Sequence, residues 1–283
     1  MKRNYLNLPE SFCAYEEAKI AVVPVPFDRT SSWIRGSRKG PEAIIRASRY
    51  LELYDIETGS EVYREGICTR PPVKASSSGS MIAKVRSAVS GLLEDKKFIV
   101  VLGGEHSVSI GAVGAHAERY KEMTVLHLDA HTDLRGSYEG SRYSHACTVA
   151  RISELVDRVV SVGIRSMDST EVGSIMTDRV FFARDIKVSR SWIDEVVRGL
   201  SERVYVTLDL DVFDPSVLPS TGTPEPGGLD WYEVTGLLRE VALQREVVGF
   251  DVVELCPSRI KASDFIAAKL IYKLLSYRFR SAG

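Results

Sequence analysis

Seven short apolar runs recur along the chain: IAVVPV (20–25), FIVVL (98–102), TVLHLD (124–129), RVVSVGI (158–164), VFFA (180–183), RVYVTLDLD (203–211) and EVVGFDVV (246–253). Val, Ile and Leu dominate them, often without clean polar alternation, as in strands covered on both faces. Between the runs, apolar positions fall at helical spacing. Ile82, Val85, Val89 and Leu92 share one face of MIAKVRSAVSGLLED, with Ser80 as its expected cap. Asp230 and Glu233 form an expected capping box ahead of Val234, Leu237, Leu238 and Val241. Ser263 is expected to cap a last helix carrying Phe265, Ile266, Leu270, Leu274 and Leu275, and Pro41 to open PEAIIRASRYLE as a first-turn proline.

Strand–helix alternation over the whole length predicts an α/β fold with a largely parallel sheet. No composition shift marks a boundary, so residues 1–283 are expected to form one domain, with KASSSGS (74–80) as a surface loop. The charge balance, 37 Lys and Arg against 38 Asp and Glu, argues against a groove that neutralises nucleic-acid phosphates. No apolar run approaches the ~20 residues of a membrane span, and MKRNYLNLPESF lacks the apolar centre of a signal peptide. Cys13, Cys68, Cys147 and Cys256 lie far apart with no C-x-x-C pair, which reads as reduced thiols in a cytoplasm.

One count changes the picture: all five histidines fall between His106 and His145. Ligands of parallel sheets bind beyond the carboxyl ends of strands, so residues just after each run carry the information. FIVVL runs into Glu105 and His106, TVLHL into Asp129, His131 and Asp133, YVTL into Asp209 and Asp211, and VVGFDVV into Glu254. Alternation along a strand would bring Asp129, His131 and Asp133 to one side, and likewise Asp209 and Asp211. Four clustered aspartates repel one another unless cations intervene, and four such charges balance two divalent ions. The oxygen-rich set, completed by two imidazoles, favours a harder ion such as Mn²⁺ over Zn²⁺. The G-x-x-G at Gly111–Gly114 does not form a nucleotide loop and is expected to serve packing.

GGEHS, DAHTD, YSHA, VTLDLDVFDP and TGTPEPGG, in that order, resemble the signature of the ureohydrolase (arginase/agmatinase) family, as do GSRKGPEAIIRAS and GIRS at 163–166. The likeness runs over roughly residues 20 to 277. It implies a three-layer α/β/α fold holding two Mn²⁺ per chain. One ion would take His106, Asp129, Asp133 and Asp209, and the other His131, Asp129, Asp209 and Asp211. Such a pair implies attack by a shared hydroxide on a guanidino carbon. Glu254 would pair with the guanidinium nitrogens, Asp133 would assist proton transfer to the leaving amine, and His145 would shuttle a proton or bind substrate. His127 is expected to serve the core or to support the ligands, Glu105 to orient His106 or a backbone amide, His116 to be an ordinary helix residue and Asp214 a turn or cap residue. Cys147, two positions from His145, is not expected to act as a nucleophile.

Arginases resembling this chain carry an Asn where Arg135 stands, and a G-N-x-H-G element where Ser144, His145 and Ala146 lie. DLRGSYEGSRYSHACT is more similar to agmatinases, which implies agmatine and water giving putrescine and urea. Glu139 is the expected carboxylate for the far ammonium of that substrate. Arginase or guanidinobutyrase activity is the alternative, followed by a metal-dependent amidase or a silent metal-binding protein. The resemblance further implies a homo-oligomer, a trimer or hexamer, and a cytoplasmic polyamine-forming enzyme.

Overall fold

The computed structural model describes residues 4–280. Eight strands form one sheet: β1 (Ile20–Val25), β2 (Ile67–Thr69), β3 (Phe98–Gly103), β4 (Thr124–Leu128), β5 (Arg158–Ile164), β6 (Val180–Phe182), β7 (Arg203–Asp209) and β8 (Glu246–Val253). Their order is β2-β1-β3-β8-β7-β4-β5-β6 and every pairing is parallel. The expected seven runs all become strands. The eighth, β2, has three residues and no Val-rich run, and it forms by pairing Ile67 with Ile20 at the sheet edge.

Side-chain alternation divides the apolar positions between two cores. Val22, Val100, Leu126, Val206 and Phe250 pack with the helices Gly40–Ser48, Trp192–Gly199, Trp231–Gln244 and Lys261–Arg278. Ala21, Val23, Ile99, Val101 and Tyr205 face the helices Ser78–Glu94 and Val108–Arg119. The three layers expected from the resemblance follow from this partition, because parallel crossovers put helices on both faces of a sheet. No helix among the described residues is long and apolar enough to cross a membrane.

The helix ends depart from expectation in three places. The helix Ser78–Glu94 begins before Ser80: Ser77 caps it, its hydroxyl accepting from the Ser80 amide, so part of KASSSGS is helical rather than loop. The last helix begins at Lys261, which leaves Ser263 buried in its first turn and not at its cap. The helix after Pro41 stops at Ser48, short of Leu51. By contrast, the Asp230–Glu233 capping box forms with both reciprocal bonds, at 2.7 and 2.8 Å.

Candidate metal centre

The four central strands, β3, β8, β7 and β4, are neighbours, and their carboxyl ends deliver His106, Glu254, Asp209 with Asp211, and Asp129 with His131 and Asp133. Strand alternation is not what converges these groups. β4 ends at Leu128, and Asp133 sits beyond it with φ +51°, a left-handed conformation costly for a non-glycine residue. Asp209 ends β7 and caps the turn Leu210–Val212, its side chain accepting the Asp211 amide at 2.9 Å. The Asp129 carboxylate likewise accepts the His131 amide at 2.6 Å, and Asp211 that of Ala130 at 3.0 Å. Tight turns past the strands, each closed by its own acidic residue, aim the carboxylates inward.

His106 Nδ1 lies 3.0 Å from Asp129, 3.2 Å from Asp133 and 3.4 Å from Asp209. His131 Nδ1 lies 3.0 Å from Asp211 and 3.5 Å from Asp129. Asp129 therefore touches both histidines. Except for His131, which is partly open, these side chains are buried.

Burial and mutual repulsion strain the titration of this cluster. Asp209 is pushed well above the usual carboxylate range by burial and then by the charges of Asp211 and Asp129. Asp211 moves the same way for like reasons. Burial alone would raise Asp129 too, but bonds from His106, His127 and His131 hold it well below its ordinary value. His131 is raised to about 12: burial opposes its charge, and the Asp211 and Asp129 carboxylates outweigh burial. The donor set accounts for this conflict if cations occupy it. His106 Nδ1 is buried without an aligned hydrogen bond, although three carboxylates surround it. A nitrogen lone pair facing oxygen lone pairs is repulsive unless a proton or a metal ion lies between them. Two histidines and four aspartates arranged around such an atom fit divalent cations, and the triad Asp129, His131 and Asp211 has suitable ligand spacing on its own.

The cluster floors a cavity of about 270 Å³. Glu254, also at positive φ (+64°), lines it, and its Oε1 accepts the His106 amide at 2.8 Å. Burial and the nearby Glu105 charge raise Glu254 to about 8. His145 also lines the cavity, and Thr30 Oγ1 accepts its backbone amide at 2.9 Å. Glu139 does not reach the cavity. It is exposed at the tip of the turn Tyr138–Ser141, where Glu139 and Gly140 both take positive φ, so the expected ammonium contact is not made by this residue.

The supporting residues behave as expected. His127 donates to Asp129 through Nε2 at 2.9 Å and accepts from Ser161 at Nδ1, which occupies both ring nitrogens. Glu105 orients a backbone amide, that of Thr30, at 2.6 Å. His116 is buried against Tyr205. Asp214 closes a turn by accepting from Ser216, Gly227 and Gly228. Cys147 is a buried thiol whose contact is the Ser141 carbonyl, as all four cysteines are buried and free.

Sequence reasoning missed three contributors. The loop 31–34 (Ser-Ser-Trp-Ile) walls the cavity without any periodic signature. Buried Glu171 accepts from Thr132, the Leu134 amide and the Asp168 amide, which anchors the stretch after Asp129. Arg165, noted only as part of GIRS, donates to the carbonyls of Asp211, Phe213 and Glu225 and so braces the Asp211 turn.

The Arginase family model matches residues 18–276. The N(1)-aminopropylagmatine ureohydrolase of Synechocystis sp. is 38% identical over 280 residues, 95% of this chain and 92% of that protein. That of Thermus thermophilus is 40% identical over 273 residues, covering 95% and 93%. Among solved structures, the agmatine ureohydrolase of Thermoplasma volcanium superposes with a TM-score of 0.89 at 35% identity, covering 99% of this chain and 95% of its own.

Proposed function

The chain belongs to the arginase family, hydrolases of guanidino C–N bonds, and we propose that it cleaves a guanidinoalkyl amine lacking an α-carboxylate. Agmatine is the simplest such substrate, and agmatine plus water gives putrescine and urea. The carrying observation is the state of Arg135, the one Arg or Lys side chain on the cavity wall among the described residues. It stacks on Tyr138 and faces Asp168 at 3.5 Å and Glu171 at 3.8 Å, so it is already balanced and offers little to a substrate carboxylate. With Arg135 balanced in this way, the wall carries no free cation for a carboxylate among the described residues, while Glu254 faces the cavity as an anion for the guanidinium.

In this reading His106, Asp129, His131, Asp133, Asp209 and Asp211 would hold two Mn²⁺ ions. Bound there, such ions lower the pKa of water toward neutrality and offset the clustered carboxylates. Glu254 binds the guanidinium, because its second oxygen is left free by the His106 amide and a cation is the natural partner of a buried carboxylate. Substrate charge then returns Glu254 to its ionised form. Asp133, fixed at a strained backbone angle beside His106, is positioned to take a proton and pass it to the leaving amine. His145, whose ring lies near Thr30 and Ser32 at 3.4 and 3.5 Å, holds or relays a proton at the cavity mouth.

A second reading extends the substrate by an aminopropyl group. It is favoured by the names of the two relatives at 38% and 40% identity. In that case Asp168, which lines the cavity, would share its charge between Arg135 and the additional ammonium. A urea-release assay across agmatine, N(1)-aminopropylagmatine, guanidinobutyrate and arginine, with manganese-loaded protein, decides between them. Preference for either of the first two supports the proposal, and preference for arginine or guanidinobutyrate contradicts it. Hydrolysis of amides alone, or bound metal with no urea, would favour the amidase or silent readings.

A further inference from the structure

We propose that Asp251, acting through the hydroxyl of Thr207, is a positioning residue that sets the tautomer and ring orientation of His106 so that Nδ1 faces the metal. The inference rests on the reading that the cluster holds divalent cations. Asp251 is fully buried on β8 and lies beside Thr207 of β7 in the sheet register. Its hydrogen-bond partners are three hydroxyls and no cation: Thr207 and Ser109 donate to Oδ1 at 2.7 and 2.9 Å, and Tyr205 to Oδ2 at 2.8 Å. A carboxylate with no ion pair in an apolar layer is costly to bury, so three donors aimed at it need a reason.

Proton counting supplies one. An ionised carboxylate only accepts, so the single Thr207 proton is committed to Asp251, the shorter and charged partner, rather than to Ser109 at 3.1 Å. Thr207 Oγ1 is then left as an acceptor, and the group 3.0 Å away is His106 Nε2. That nitrogen must carry the proton. The neutral ring then has its lone pair on Nδ1, the buried atom that points at Asp129, Asp133 and Asp209 without an aligned bond of its own. Outer hydrogen bonds of this kind commonly fix metal-ligating histidines. Here the carboxylate works at one remove, through a hydroxyl whose direction it dictates.

Asp251→Leu removes the acceptor that commits the Thr207 proton, freeing the hydroxyl to turn toward Nε2 and drive the ring proton onto Nδ1. Thr207→Val removes the acceptor outright, and Thr207→Ser keeps it. The test is titration of metal-free protein with Mn²⁺, free ion being read by its paramagnetic resonance, alongside the melting temperature of each metal-free variant. Thr207→Val and Asp251→Leu should each weaken one of the two ions by about ten- to a hundredfold. Thr207→Ser should restore it, and the double variant should be no weaker than the worse single one. Wild-type affinity in Thr207→Val, even with a lower melting temperature, would reduce the network to packing and overturn the proposal. Losses that multiply in the double variant would overturn it too, because Asp251 would then not act through Thr207. Should Asp251→Leu fail to fold, the Thr207→Val and Thr207→Ser pair alone decides. A wild-type chain that bound no Mn²⁺ would instead refute the metal reading itself.

Discussion

Glu254 Oε1 accepts the backbone amide of His106 at 2.8 Å, which joins the carboxylate facing the cavity to the turn that carries one imidazole of the His–Asp cluster. Glu254→Gln keeps that bond, since the amide oxygen still accepts, and removes only the charge. Metal content and melting temperature should therefore stay near wild type, while kcat/KM for the guanidino substrate falls about 10²- to 10³-fold, the scale of one lost transition-state contact. Steady-state urea assays with metal analysis on the same sample check this. An unimpaired variant would point to amide hydrolysis, which needs no anion opposite a cation.

Thr30 links buried Glu105 to His145, which lines the cavity. Its hydroxyl donates to Glu105 at 2.6 Å and accepts the amide of His145 at 2.9 Å. Thr30→Val leaves both partners short of a bond. The expected result is a loss of about 1–3 kcal/mol in stability, with lower activity from a displaced His145. Denaturant unfolding and the urea assay measure the two effects, and Thr30→Ser should recover both.

Acid should destabilise the chain partly through His116. Burial lowers this imidazole to about 4, outweighing the Ala112 and Val248 carbonyls, which favour its charge. Its ordinary value is ~6.5, so between about 4 and 6.5 the unfolded chain binds the extra proton. The contribution is present in full above that window and is lost as pH falls through it, by up to about 3 kcal/mol. His116→Gln should flatten the pH dependence of unfolding between pH 4 and 6.5. An unchanged slope would mean that His116 is protonated in the folded state.

The G-x-x-G of the helix Val108–Arg119 separates two kinds of glycine. A Cβ at Gly111 would lie 2.6 Å from the Ile82 carbonyl of the neighbouring helix, whereas at Gly114 the nearest atom is the movable Arg86 side chain at 3.5 Å. Gly111→Ala should cost about 1–3 kcal/mol by forcing the helices apart. Gly114→Ala should gain up to about 1 kcal/mol from helix propensity. Thermal unfolding of the two variants gives the signs directly.

The strands could be read from the sequence because Val- and Ile-rich runs covered on both faces leave a dense signal, as at 20–25 and 246–253. β2 could not, because three residues at an edge are ordered by their neighbour rather than by their own pattern. Of the site, the polar residues at strand ends stood out, but the strand stops at Leu128, and beyond it Asp129 accepts the His131 amide, His131 bridges Ser166 and Asp133 alone turns to positive φ. Glu139 was misplaced because a tight turn sends it outward, a matter of backbone handedness that residue type alone does not reveal. Thr207 and Asp251 carried an unused signal, being polar residues beside His127 in the register of adjacent strands.

The most direct measurement is the metal content of the wild-type chain and of Asp209→Ala, taken by elemental analysis after Mn²⁺ loading and removal of loose ions, with urea release read on each sample. The account predicts two ions per wild-type chain, with fewer ions and almost no urea from the variant. Two tightly held ions in Asp209→Ala, or undiminished urea release from thoroughly chelated wild-type protein, would contradict it.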